Sequence, residues 1–374
     1  MNQMLLQAIF FLGLLSTSFA ARLAVSGTSL TYGNDQVYLN GVNIAWNSYG
    51  YDFGNGNYDG SIENWMSDIG SAGGNTVRMW VQVEGESTPS FDNRGMVTAC
   101  DNTGDFLTDV VTFLDAAQES GVLVIFTVWN GAVMSNQPYI DMILDDDKLQ
   151  SYLDNCLTDW AKAVADHPAL GAWEAMNEPA GGSVHVSSDA NHCYDTTNVG
   201  KQGGGWSGAN IPMERFLILF GKMNQVIRAN DPSGIVTIGA YSQFSTTDAF
   251  SDTTNHYTDE CLNGAAGSGS ELDFYQVHTY DWQGSWPPHG PFTLQASDFE
   301  LDKPFLIGEY SGDCGAGNTL SELNTYAYEN GYVGGLSWHW AATGDCSDTR
   351  AVQRQALGTL VDRTDNGVVD FIVG

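Results

Sequence analysis

The chain predicts an α/β fold, a single-domain (β/α)8 barrel. Two observations carry this expectation. Eight short apolar runs alternate with amphipathic stretches along the 374 residues, the order that a barrel or an open parallel sheet requires. The first run ends Gly41-Val42-Asn43-Ile44-Ala45-Trp46 with no GxGxxG after it, whereas a doubly wound open sheet usually carries a Gly-rich phosphate loop there. The barrel is therefore favoured over the open sheet.

The predicted strands are Val37–Trp46, Thr76–Trp80, Val122–Trp129, Gly171–Met176, Ile235–Ala240, Leu272–His278, Pro304–Glu309 and Gly334–Trp338. They are apolar on both faces, as buried parallel strands are. Helical stripes lie between them. Ile62, Trp65, Met66 and Ile69 form one, and Leu107, Val110, Val111 and Leu114 a second. Leu149, Tyr152, Leu153, Cys156, Leu157, Trp160 and Val164 form a third, and Phe216, Leu217, Phe220, Met223 and Ile227 a fourth. The fifth crossover is the least helical. The Gly- and Ser-rich patches at 203–208 and 264–270 are short and flanked by apolar elements, so they read as loops rather than hinges. No repeat at solenoid spacing is present.

Residues 1–20 read as a secretory signal peptide. An apolar run from Met4 to Leu15 precedes Ser18-Phe19-Ala20, which has the form of a hydrophobic region and cleavage site. The run is shorter than the ~20 residues that span a bilayer. The barrel is then 21–374, secreted and extracellular. Six cysteines fit that compartment as disulfides, with 15 possible connectivities for six. Cys193 and Cys261 fall in the loops after strands four and five, and Cys314 and Cys346 just after strands seven and eight. Neighbouring loops reach one another, so the expected pairs are Cys193–Cys261 and Cys314–Cys346, leaving Cys100–Cys156. No CxxC pair points to zinc, and Asp145-Asp146-Asp147 reads as a helix start rather than a calcium loop. No metal and no cofactor is expected.

The charge balance is 13 basic against 45 acidic residues, a net −32. Such a surface repels phosphate backbones and anionic membranes, which argues against both as partners. A neutral partner meets no such repulsion. Aromatic residues make up 12 %, including 11 Trp, and flat rings suit the apolar faces of sugars.

In a barrel, polar residues at the C-terminal ends of strands converge on one site. Strand four runs Trp173-Glu174-Ala175-Met176-Asn177-Glu178-Pro179, and strand seven Phe305-Leu306-Ile307-Gly308-Glu309-Tyr310. Glu178 and Glu309 thus face each other across one pore. Two convergent carboxyls are what glycosidic cleavage needs, one protonated and one ionised, ~5–5.5 Å apart if configuration is retained. Arg78, ending strand two, is one of few cations within reach and would keep Glu309 ionised. His278 and Tyr280 end strand six.

At these residues the chain resembles glycoside hydrolase family 5. Asn177-Glu178-Pro179 is similar to the family's acid/base signature and Glu309, in Ile-Gly-Glu-Tyr, to its nucleophile. Arg78, His278, Tyr280 and Trp338 match further members of the shared site, in order over the whole mature chain. Arg78-x-Trp80 and the Trp173–Pro179 stretch resemble the β-1,4-mannanase versions, and the whole is similar to digestive mannanases of invertebrate animals. One departure stands: many family members carry His at the end of strand three, where this chain has Thr127-Val128-Trp129-Asn130. The resemblance implies a retaining endo-β-1,4-mannanase, with Glu178 as acid/base and Glu309 as nucleophile. Asn177 would bind the sugar 2-hydroxyl, His278 orient Glu178, and Tyr280 bond Glu309 or the ring oxygen. Trp338, chosen over Trp340, would lie under the reacting sugar. Trp46, Trp129 and Trp282 are candidate sugar platforms, Trp282 beyond the cleavage point. Long loops after strands four and five imply an open cleft and internal cleavage of a mannan-type polysaccharide (β-mannan, glucomannan or galactomannan) by a monomer. An endo-β-1,4-glucanase on the same barrel and a non-catalytic carbohydrate-binding protein are the alternatives.

Overall fold

A computed structural model describes residues 21–374; the expected leader lies outside them. The chain opens with a small antiparallel sheet, β1 (Leu23–Ser26), β2 (Ser29–Tyr32) and β3 (Asp35–Val37). The strands β4 (Leu39–Ala45) and β5 (Thr76–Val83) follow, then a two-stranded ribbon, β6 (Ser90–Phe91) and β7 (Val97–Ala99). The remaining strands are β8 (Leu123–Asn130), β9 (Leu170–Asn177), β10 (Val236–Ala240), β11 (Tyr275–His278), β12 (Phe305–Tyr310) and β13 (Gly334–Ser337). Strands β4, β5 and β8–β13 close into one barrel, each parallel to its neighbours, with β13 returning to β4.

All eight expected runs are barrel strands. The first begins at Leu39 rather than Val37, because Val37 ends β3 and pairs back on Leu30. The sixth begins at Tyr275; Leu272 and Phe274 are buried but precede the ladder. The small sheet was not legible as a separate element. It covers the N-terminal end of the barrel: the Tyr32 hydroxyl donates to the Pro168 carbonyl before β9, and Arg22 pairs with the buried Asp231 before β10.

Three stripes form helices over Glu63–Ser71, Phe106–Glu119 and Met213–Asn230. The long one, from Leu149 to Val164, is a rod of two helices joined by a wider π-type turn over Leu153–Leu157. Asp145 starts it, its carboxylate accepting from the Asp147 and Lys148 amides, as the helix-start reading anticipates. Gly264 belongs to a helix, Asp259–Ala266, and not to a loop. Thr258 caps that helix by accepting from the Cys261 amide, and Gly267 ends it at φ +92°.

The apolar core lies between barrel and helices. Phe106 meets Trp160 edge-on at 5.0 Å, and Trp160 meets Trp173 at 5.0 Å. The ladders shift register near their C-terminal ends, at Asn43/Ala45, Thr237/Gly239, Val277/His278 and Ile307/Tyr310. Such irregularities re-aim side chains at a barrel rim, and here they flank Asn43, His278 and Glu309. Three disulfides form, Cys100–Cys156, Cys193–Cys261 and Cys314–Cys346, the expected pairs, although Cys156 lies in the π-type turn and Cys261 in the helix Asp259–Ala266 rather than in a loop. Among the described residues no helix is long and apolar enough to cross a membrane.

Candidate active site

Arg78 organises the site from below. It leaves β5 into the barrel and is fully buried. Its Nε and Nη2 donate to the two oxygens of Glu174 on β9, at 2.6 and 2.5 Å. Its Nη1 donates to Glu309 Oε1 at 2.6 Å and to Asn43 Oδ1 at 2.8 Å, and Nη2 also reaches Asn177 Oδ1 at 2.8 Å. A guanidinium presents its donors in a planar fork, so one cation serves five acceptor oxygens on four residues. Gln276 Nε2 adds a bond to Glu174 Oε2 at 2.7 Å. Two glycines make room for this layer. A Cβ at Gly239 would stand 2.5 Å from Glu174 Oε1, and one at Gly308 only 2.2 Å from Gln276 Oε1.

Glu174 is the residue that sequence reading overlooked. It is buried without exposure, and a buried carboxylate must be paired. The signal was present as an acidic residue inside an apolar strand. Glu178, four residues on, ends that strand in the left-handed region at φ +46°, ψ +45°. A non-glycine residue there costs roughly 1–2 kcal/mol. Its amide is held by the Gly239 carbonyl at 2.7 Å, so the backbone turns at the rim and the side chain enters the mouth.

His278 Nδ1 lies 2.8 Å from Glu178 Oε1 and 3.5 Å from Glu309 Oε2. These three groups have their nearest atoms within 4.8 Å of one another. The Tyr280 hydroxyl donates to Glu309 Oε2 at 3.0 Å. Burial pushes the Glu178 carboxyl up to about 7, with Arg78 opposing and Glu174 adding to the rise. Burial raises Glu309 as well, and there His278, Arg78 and the Tyr280 hydroxyl pull it back. Arg78 touches Glu309 and not Glu178, so Glu309 is the member of the pair that ionises first. Burial pushes His278 down to about 4. It is a neutral imidazole at pH 7, and with carboxylate oxygens on the Nδ1 side it carries its proton there. Tyr280 is raised well above the ordinary phenol range by burial and by Glu309 and stays protonated.

Glu178, His278 and Glu309 are donor types that a metal would accept. Glu309, however, already takes Arg78 and Tyr280, and the fixed positive charge of Arg78 opposes a second cation.

Above this layer, Trp46, Tyr49, Trp80 and Trp338 form an aromatic group, with Trp46 5.6 Å and Trp80 5.8 Å from Trp338. Arg78 Cζ lies 5.7 Å from the Trp80 ring centre. Trp340, by contrast, is fully buried in the main core. Trp282 is 76 % exposed on the loop after β11, and Trp206 is 51 % exposed.

Trp129 departs from its expected place. It is fully buried, stacked on Tyr139 at 4.5 Å and edge-on to Tyr152 at 5.1 Å, so it is a core residue and no sugar platform. Successive strand residues point to opposite faces. Trp129 therefore faces the helices, while Asn130 faces the site and accepts from Asn177 Nδ2 at 3.0 Å. Asn130 is the last residue of β8. Sequence reading also passed over Asn43, Tyr49, Glu84 and Gln276, whose roles arise from partners distant in the chain.

No family model matches the chain. Two characterised relatives match over nearly its whole length. It is 40 % identical over 348 residues to a mannan endo-1,4-beta-mannosidase of Cryptopygus antarcticus, covering 92 % of this chain and 91 % of that one. It is 41 % identical over 362 residues to the mannan endo-1,4-beta-mannosidase of Mytilus edulis, covering 95 % and 96 %. The crystal structure of an endo-1,4-beta-mannanase from Eisenia fetida superimposes with a TM-score of 0.92 at 40 % identity, over 95 % of this chain and 100 % of that one. The chain belongs to the mannan endo-1,4-β-mannosidase family of glycoside hydrolases.

Proposed function

We propose that the chain hydrolyses internal β-1,4-mannosidic bonds of mannan-type polysaccharides outside the cell, with retention of configuration. Glu309 attacks C1 of the sugar at the cleaved bond. That bond to oxygen breaks, and Glu178 gives its proton to the departing oxygen. Glu178, now ionised, takes a proton from water, whose oxygen attacks C1 and releases Glu309. The observation that carries this reading is the pair of carboxyls either side of His278 Nδ1, only one of them held by Arg78. The nearest oxygens of the pair lie within 4.8 Å of each other, an approach that supports direct attack on C1 by one carboxylate rather than through an interposed water.

The neighbours support distinct roles. The His278 Nδ1 proton on Glu178 Oε1 leaves the acidic proton to Oε2, where the leaving oxygen would lie. Tyr280 holds Glu309 Oε2, and Asn177 has a free N–H for the sugar 2-hydroxyl. Trp338 is the platform under the reacting sugar, with Trp46 beside it, and Trp282 a platform beyond the cleavage point. Three disulfides favour an oxidising compartment.

Azide separates the two glutamates. Glu309→Ala with azide should yield an α-configured glycosyl azide, since azide replaces the nucleophile in a single inversion. Glu178→Ala with azide should yield the β-configured product after two inversions. The opposite pairing, or near-normal turnover in either variant without azide, would refute the roles. Reducing-sugar release from mannan against a soluble cellulose derivative tests the substrate; faster release from cellulose makes the chain a glucanase.

A further inference from the structure

Asn177 is joined to a second carboxylate that the reaction as written does not use. Glu84 follows β5 and is 4 % exposed. Its Oε1 accepts from the Tyr49 hydroxyl at 2.6 Å and from Asn130 Nδ2 at 2.9 Å. Asn130 Nδ2 also lies 3.0 Å from the Tyr49 oxygen. Asn130 Oδ1 receives Asn177 Nδ2 at 3.0 Å and the Ala132 amide at 3.0 Å. Asn177 Oδ1 in turn receives Arg78 Nη2 at 2.8 Å.

These bonds run in one direction across the tops of β5, β8 and β9. A carboxylate, which only accepts, stands at one end of the row. A guanidinium, which only donates, stands at the other. Each amide between them has its nitrogen toward Glu84 and its oxygen toward Arg78. Asn177 Nδ2 has two hydrogens, one of them committed to Asn130. Among the described residues the second has no acceptor, and it is the one left for a sugar.

We propose that Glu84 is a positioning residue for the cleavage reaction: through Asn130 it fixes the amide of Asn177 so that the remaining N–H meets the 2-hydroxyl of the sugar at the cleaved bond. This rests on the reading of Asn177 given above. Bonds in such rows polarise one another, so a change at Glu84 is felt at Asn177 through Asn130. Loosening Asn177 costs most where its contact tightens, at the transition state, so the loss falls on kcat more than on KM. Glutamine in place of Glu84 keeps a carbonyl oxygen for Tyr49 and Asn130; alanine keeps nothing.

The test compares an aryl β-mannobioside with its analogue lacking the 2-hydroxyl on the sugar at the cleaved bond. Glu84→Ala should lower kcat about tenfold on the parent with little change in KM, and less than about twofold on the deoxy analogue. Glu84→Gln should recover most of the loss. The double variant Glu84→Ala/Asn177→Ala should be no slower than Asn177→Ala alone, because both act through one contact. Tyr49→Phe, a milder change, should shift the same ratio in the same direction and stands in if Glu84→Ala does not fold. Equal losses on both substrates, or a double variant as slow as the product of the singles, overturns the proposal and leaves Asn177 in place. Retention of the 2-hydroxyl preference by Asn177→Ala removes Asn177 from that role, and the proposal falls with it.

Discussion

Arg78 Nη1 and Glu309 Oε1 lie 2.6 Å apart at the floor of the mouth, and the same guanidinium grips Glu174 with its other two nitrogens. One cation therefore faces two carboxylates of different use. Glu174 balances the charge beneath the site; Glu309 is open to the mouth above. Glu178, without a direct bond to Arg78, is left to burial and rises to about 7.

Replacing Arg78 by Lys breaks the fork, since a single ammonium cannot serve Glu174, Glu309, Asn43 and Asn177 together. Arg78 pulls Glu309 down, so its loss raises Glu309 and moves the acidic limb of kcat/KM to higher pH. Activity at the optimum should fall on the order of 100-fold. A pH–rate profile measures both.

Glu174→Gln removes one partner of a buried pair. Breaking such a pair costs about 3–5 kcal/mol, here toward the lower end because Glu309 still faces Arg78. Denaturant unfolding should show that loss. Glu174 raises Glu178, so the alkaline limb should move to lower pH. An unchanged limb would separate Glu174 from the titration of Glu178.

The general acid must carry its proton to work. With Glu178 raised to about 7, kcat/KM should fall as pH rises through that value. On a substrate whose leaving group needs no protonation, the residual activity of Glu178→Gln should show no such limb.

Two tryptophans should respond in opposite ways. Trp129→Ala opens a core cavity and should cost about 3–5 kcal/mol in thermal or denaturant unfolding. Trp282→Ala, on an exposed ring, should leave stability unchanged and raise KM for mannan. The reverse result would restore Trp129 as a platform.

Cys193–Cys261 joins the loop after β9 to the helix Asp259–Ala266 across 68 residues. Replacing both cysteines by Ser should lower stability by about 2–4 kcal/mol. Glu309 stands on β12, and Glu178 is held at the barrel rim by the Gly239 carbonyl, 15 residues before Cys193, so turnover at low temperature should persist.

Much of this was readable along the chain. Apolar runs alternating with helical stripes specify a parallel barrel, because a strand buried on both faces has few polar residues to spare. The carboxylates, His278 and Tyr280 stand out for the same reason: each is polar or ionisable where its strand is otherwise apolar. The even cysteine count in the sequence likewise anticipated the three disulfides.

Closure of the barrel settled what distance in the chain conceals. Whether Trp129 or Asn130 turns inward depends on a period of two measured from a register that only the neighbouring strands define. Glu174 and Glu178 are both acidic and four residues apart, yet one is sealed against Arg78 and the other reaches the mouth, because the backbone turns left-handed at Glu178. Hydrogen bonds among Arg78, Asn130, Asn177 and Glu84 exist only once β5, β8 and β9 lie side by side. A side chain's type is written locally; its protonation and its partner are set by what the fold brings against it.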